Sequence, residues 1–90
     1  MAENALARVL LLSRPGCHLC DDARAIVAAV AADLGVSWAE RDISGSEADL
    51  REYGDMIPVT FVDGVRHDFW RVDERRLRAA LSGPARSAGQ

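Results

Sequence analysis

The first readable pattern is a run of four apolar residues, Val9-Leu10-Leu11-Leu12. Consecutive rather than alternating apolar positions predict a strand over Arg8–Ser13 that is buried on both faces. Arg14-Pro15-Gly16 breaks the run, because Pro15 ends strand pairing and Gly16 lets the backbone bend. Ala23, Ile26, Val27, Val30 and Leu34 then recur at helical spacing. They predict a helix from Cys20 to about Asp33, closed by Gly35. Val36–Ile43 alternates partially and predicts a second strand. No tight-turn signal separates it from the first strand. A crossover through the helix therefore makes the two parallel, with the right-handed connection that such units strongly prefer. Ser44-Gly45-Ser46 reads as a loop. Ser46 followed by Asp49 predicts the start of a short helix that Gly54 ends. Met56–Val62 predicts a third strand with Pro58 at its mouth. Asp63-Gly64 is the best hairpin signal in the chain and leads into a fourth strand, Val65–Trp70. Asp73 caps a last helix through Leu77 and Leu81. The predicted order is βαβαββα, an α/β domain over residues 8–81 with helices on the faces of the sheet. Residues 1–7 read as a short leader. Residues 82–90, rich in Gly, Pro, Ala and Ser, read as a disordered tail.

Composition narrows this picture. Ninety residues allow one small domain that buries somewhat more than ~60% of its extended-chain surface. The 49% apolar content includes fifteen alanines, so a large ligand cavity is not expected. Net charge is −3, with no lysine at all. That is far from the basic balance of a nucleic-acid binder. Arg71, Arg75 and Arg78 fall at helical spacing, and a solvated helix face is the preferred reading over a phosphate-binding stripe. Residues 1–7 hold no basic segment followed by a long apolar stretch, so neither a signal peptide nor a membrane span is expected. Two cysteines are too few for a disulfide-stapled secreted scaffold. The expected location is cytoplasmic, where thiols are kept reduced.

The two cysteines carry the candidate chemistry. Cys17-His18-Leu19-Cys20 lies between a predicted strand and a predicted helix, the context of a redox dithiol. A cysteine at a helix N-terminus meets unpaired N–H groups and the positive end of the helix dipole, which stabilise a thiolate. The second cysteine follows within the same turn, close enough to attack a mixed disulfide. Asp21 and Asp22 in the first turn act against the thiolate. Zinc is not expected: a structural site needs four ligands, and only His18, between the thiols, and His67, alone on a strand, are available. Haem attachment through C-x-x-C-H is excluded because position 21 is Asp. Trp38 reads as core. Trp70 either lines an apolar substrate groove or closes the core edge. Glu40 and Asp42 are either a proton relay for Cys20 or solvated strand residues, and the second reading is preferred.

Over residues 8–81 the chain resembles the glutaredoxin-like family. The motifs that carry the likeness are Ser13-Arg14-Pro15-Gly16-Cys17-His18-Leu19-Cys20 and Ile57-Pro58-Val59. The resemblance implies a thioredoxin-like, glutaredoxin-type fold with a central four-stranded mixed sheet flanked by helices. It implies Cys17 as the exposed nucleophile, Cys20 as the resolving thiol, and Arg14 as the basic residue before the dithiol. It also implies that Pro58 is a cis-proline facing the thiols, with Ile57 offering its backbone to an extended substrate strand. Two departures stand out. The family's dithiol usually encloses Pro-Tyr, where this chain has His18-Leu19; His18 either stabilises the thiolate when protonated or is simply an exposed loop histidine. Glutathione-using members carry a Gly-Gly pair before the last helix, where this chain has Trp70-Arg71-Val72-Asp73-Glu74. Glycine permits close backbone approach to a tripeptide. Only Arg14, the Asp73-Glu74 helix start and Arg71 remain to hold glutathione's charged ends, so a protein dithiol reductant of thioredoxin type is expected instead.

The function these readings predict is a small cytosolic thiol–disulfide oxidoreductase with no cofactor beyond its thiol pair. Its client would be a disulfide-containing protein or a small thiol. The alternative is a non-enzymatic adaptor or redox sensor that binds a partner peptide at the Ile57-Pro58 edge.

Overall fold

A computed structural model describes residues 7–82. The tail expected at 82–90 and the leader at 1–7 fall outside the described residues but for Ser82 and Ala7. The chain runs β1 (Val9–Ser13), α1 (His18–Leu34), β2 (Trp38–Asp42), a 3₁₀ turn (Ile43–Gly45), α2 (Glu47–Tyr53), β3 (Val59–Val62), β4 (Val65–Phe69) and α3 (Glu74–Leu81). The strands form one sheet in the order β2-β1-β3-β4. β1 and β2 are parallel, while β1/β3 and β3/β4 are antiparallel.

The continuous apolar run of β1 is divided between two cores. Val9 and Leu11 face α1 and α3, in a cluster with Ala23, Val27, Val30, Val62, Leu77 and Leu81. Leu12 faces the other way, onto Ile43 and Val59, with Leu10, Leu50, Tyr53 and Phe61 packed around them. Side chains that alternate across a strand make this three-layer arrangement the natural outcome of an all-apolar central strand. Trp38 packs against the first cluster, which bears out its core reading.

Local signals placed most boundaries. Gly35 closes α1 in the left-handed conformation (φ 67), and the Val36 N–H donates to the Ala31 carbonyl at 3.1 Å. Ser46 Oγ accepts the Asp49 N–H at 3.2 Å and starts α2. Asp63 and Gly64 have φ 52 and 84, the double positive φ of the tightest hairpin turn. Asp63 also receives Arg8, Nε to Oδ1 at 3.0 Å and Nη2 to Oδ2 at 3.1 Å, which ties the hairpin to the start of β1.

Four expectations are corrected. α1 begins at His18 rather than Cys20, so Asp22 lies beyond its first turn. β2 is shorter than Val36–Ile43, because Val36 belongs to the α1 cap and Ile43 opens the 3₁₀ turn that Asp42 caps. β3 begins at Val59 rather than Met56, since Pro58 has no N–H for the ladder. β4 ends at Phe69, because Trp70 has φ 68 and cannot continue an extended strand.

Register brings several chain segments to one end of the sheet. Ser13 pairs with Asp42, Leu12 with Val59, and Val59 with Phe69. The loop Arg14–Cys17, the segment Met56–Pro58 and the segment Trp70–Val72 all leave the sheet there. Among the described residues, no helix is long and apolar enough to cross a membrane.

Candidate active site

Cys17 is the N-cap of α1. Its backbone is extended (φ −100, ψ 112), and its sulfur accepts the Cys20 N–H at 3.2 Å. A sulfur is not among the usual N-cap acceptors, which is why the sequence pattern places the helix start late. The positive end of a 17-residue helix points at this sulfur. Cys17 is half-buried and Cys20 is fully buried; both are free thiols. Burial, and after it the neighbouring Cys17 sulfur, push the Cys20 thiol up to about 11. The Arg14 backbone N–H on its sulfur and the nearby Arg24 charge act in the opposite direction. Cys20 is therefore a thiol at neutral pH, in surroundings unlike those of Cys17.

The rear wall of the dithiol is an ion network that sequence reasoning missed. Arg24, one turn beyond Cys20, grips Glu40 with two bonds, Nε to Oε1 at 2.7 Å and Nη2 to Oε2 at 2.6 Å. Its Nη1 reaches Asp21 at 2.9 Å. The hydroxyl of Ser13, the last residue of β1, donates to Glu40 at 2.5 Å. Glu40 makes no bond to Cys20; it is an exposed strand residue, in line with the preferred reading, and this network holds it in place. Asp42 accepts the Ser44 N–H at 2.8 Å as the cap of the 3₁₀ turn. The only sequence signal for the network was Arg24 four positions after Cys20. Its partners lie in strands that the fold alone brings near.

Arg24 and the Ser13 hydroxyl hold the Glu40 carboxyl below its ordinary range, with Arg24 the larger influence. A depressed carboxylate adds stability that is present above the unfolded pKa of about 4.3 and is lost as pH falls through the lower folded value. The expected result is a melting temperature that drops as pH falls below ~4.3. Glu40→Gln should melt lower at pH 7 and fall less steeply in that acid window. Parallel curves for the two proteins would show that the network does not couple to folding.

The other predicted residues divide clearly. Arg14 is exposed; its guanidinium acts on Asp42, while its amide serves Cys20. His18 is exposed at the first helical position, and its ring makes no hydrogen bond among the described residues. The Ile57–Pro58 peptide bond is cis, Pro58 is buried, and Ile57 packs against the second core cluster. Asp73 caps α3 by accepting the Arg76 N–H at 3.1 Å. Arg71 precedes α3, so it does not share with Arg75 and Arg78 the helix face that their spacing predicts. Arg78 instead pairs with Asp33 and Glu74. His67 lies at a bulge of β4. Among the described residues, no three of His, Cys, Asp and Glu cluster as metal ligands would.

On the side of the dithiol away from Glu40, a groove of about 450 Å³ runs between α1 and the segment Trp70–Val72. Leu19, Ala23, Ile26 and Val72 line it, with Asp22 and Arg71 on its two sides. Trp70 is 54% exposed on its wall, so it does not close the core edge.

A four-stranded mixed sheet with helices on both faces, and a cysteine pair at the N-terminus of the first helix, defines a thioredoxin-like protein of the glutaredoxin type. Residues 8–82 match the Glutaredoxin-like domain family (DUF836), and the chain belongs to that family. An uncharacterised protein of Mycobacterium tuberculosis is 35% identical over 80 residues, spanning 83% of this chain and 82% of its own. The solved structure of a structural-genomics target from X. campestris is 32% identical, with a TM-score of 0.69 over 84% of this chain and 99% of that one. The holo form of glutaredoxin C1 from Populus tremula x tremuloides shares the fold, with a TM-score of 0.54 and 20% identity over 89% of this chain and 78% of that one.

Proposed function

We propose that the protein is a thiol–disulfide oxidoreductase of the cytosol, with Cys17 as attacking thiol and Cys20 as resolving thiol. The observation that carries the reading is the unlike treatment of two sulfurs one helical turn apart. Cys17 is partly exposed and meets an amide donor at a helix N-terminus, while Cys20 is buried and held protonated. In the forward step the Cys17 thiolate attacks one sulfur of a client disulfide. A mixed disulfide forms, and the other client sulfur leaves as a thiolate that takes up a proton. Cys17 then no longer bears charge, which removes one of the influences that kept Cys20 protonated. Cys20 loses its proton and attacks the Cys17 sulfur. The Cys17–Cys20 disulfide forms and the second client thiolate departs. Two electrons have moved from the dithiol to the client, and an external dithiol must return them.

The end of the sheet supports a client held as a strand. The Trp70 N–H is shared by the carbonyls of Met56 at 3.1 Å and Pro58 at 2.8 Å. Ile57, between them, makes no backbone hydrogen bond among the described residues. Its N–H and C=O are the groups an extended chain would pair with. The test of the reading is turnover of a small disulfide or of insulin, coupled to a dithiol reductant. A chain that binds partners without turnover would instead be the adaptor.

The preferred reductant is a protein dithiol. Where glutathione-using relatives carry paired glycines, this chain places Trp70 with φ 68 and an exposed ring, followed by Arg71. Recycling of the oxidised protein by glutathione and its reductase should run about tenfold slower than recycling by thioredoxin and its reductase, the effect of ~1.4 kcal/mol of lost binding. Joint replacement Trp70→Gly and Arg71→Gly should raise the glutathione rate. Faster recycling by glutathione in the unaltered protein would refute this preference.

A further inference from the structure

Trp70 occupies a position that favours glycine. Its φ of 68 lies in the left-handed region, where a bulky side chain is strained. Three hydrogen bonds hold it there: its backbone N–H to Met56 and Pro58, and its indole N–H to the Asp55 carbonyl at 2.9 Å. Phe69 meets the indole edge-on, with ring centroids 5.1 Å apart at 75°. The ring is thus firmly aimed, yet more than half of the residue stays exposed. An exposed ring at a strained position gains little from burial. Glycine would take this backbone without strain. Burial alone does not account for Trp70.

Its surroundings do. Trp70 lines the groove, and Leu19 and Ile26 of α1 line it from the opposite side. Leu19 lies between the two cysteines in the chain, which puts that wall of the groove on the same helical turn as the dithiol. A volume of about 450 Å³ is within the range of ligand-binding clefts. The Trp70 N–H bonds the residues on both sides of Ile57, so the Trp70 backbone lies beside the segment that a client strand would pair with. Alternate residues of such a strand project to the same side. Asp22 and Arg71 flank the groove with opposite charges, which suits a segment of mixed charge and disfavours one of uniform sign.

We propose that this groove receives the segment of a protein client that flanks its target cysteine, and that it selects an apolar side chain within about two positions of that cysteine. The inference rests on the oxidoreductase reading and names its substrate class. The client's apolar side chain lies against Trp70, Leu19 and Ile26, while its chain passes between Asp22 and Arg71. Glutathione has no such side chain to offer.

The test uses the full chain and three disulfide substrates. Two are cystine-linked peptides that carry leucine or serine two positions from the cysteine; the third is hydroxyethyl disulfide. The expected kcat/KM for the leucine peptide exceeds that for the serine peptide about tenfold, the discrimination an apolar pocket gives. Trp70→Gly should bring this ratio to about one, and Trp70→Phe should restore most of it. Leu19→Ala should also shrink the ratio, and it serves if Trp70→Gly fails to fold. A ratio near one in the unaltered protein, with all three substrates reduced, would overturn the inference and leave the oxidoreductase reading standing. A leucine preference that neither Trp70→Gly nor Leu19→Ala diminishes would also overturn it. Reduction of none of the three would remove the oxidoreductase reading and this inference with it.

Discussion

Cys17→Ser should abolish disulfide reduction, and Cys20→Ser should convert the protein into a trap that stays covalently bound to its clients. The alkylation kinetics should divide in the same way. With its thiol pushed up to about 11, Cys20 carries at pH 7 roughly a hundredth or less of the thiolate of an ordinary cysteine, whose pKa is about 8.5. Only the thiolate reacts with iodoacetamide at a useful rate. Cys20 is also fully buried, whereas Cys17 is partly exposed. The Cys20→Ser protein should therefore keep the fast phase of the unaltered dithiol. The Cys17→Ser protein should show a slow phase only, whose rate climbs steadily as pH rises toward 11. The slow phase does not depend on Cys17 being present, because burial is the largest influence on Cys20 and persists in the variant. The folded state also disfavours a charged Cys20, so its contribution to stability is present below the ordinary cysteine value and is lost as pH rises through about 11. A fast phase that survives Cys17→Ser would reverse the roles of the two thiols. Partners captured by Cys20→Ser, compared with those released by a reducing agent, would identify the clients.

The largest expected effect on stability is Leu11→Ala. Leu11 is fully buried at the centre of β1, paired on one side with Glu40 and on the other with Thr60. It lies in the cluster that joins the sheet to α1 and α3. Truncation to alanine removes the transfer energy of the side chain and leaves a cavity, together about 2–5 kcal/mol. Small domains have only ~5–15 kcal/mol in total. The melting temperature should therefore fall by at least about 10 °C. Val65→Ala is the matched control. Val65 is 60% exposed on the edge strand, and its truncation should change stability by no more than ~0.5 kcal/mol. Both values come from thermal or urea unfolding followed by circular dichroism. Equal effects for the two variants would mean that β1 is not the centre of the core.

These two experiments address different levels of the molecule, and those levels were unequally legible in the sequence. The element order, the hairpin at Asp63-Gly64, the caps at Gly35, Ser46 and Asp73, and the dithiol between strand and helix were all readable. Each depends on residues within a few positions of one another, and turn and cap chemistry is local. The double-sided burial of β1 was readable because an unbroken apolar run has no polar face to expose. The limits of α1, β3 and β4 were misplaced where the local rule was overridden. A cysteine sulfur did the work of a capping oxygen at Cys17, and Trp70 took a backbone conformation that its side chain disfavours.

By itself, the sequence determined the fold class, the sheet's central strand and the place of the cysteine pair, because those follow from short-range spacing and from which residues avoid water. Only the tertiary structure decided what surrounds the pair. Ser13, Arg24 and Glu40 come from three different elements, and Ser13 and Glu40 are 27 positions apart. Leu19 and Trp70 flank one groove from opposite ends of the chain. Such partnerships are set by sheet register and helix packing. A side chain's identity states what it can bond, but only the fold states what is within reach.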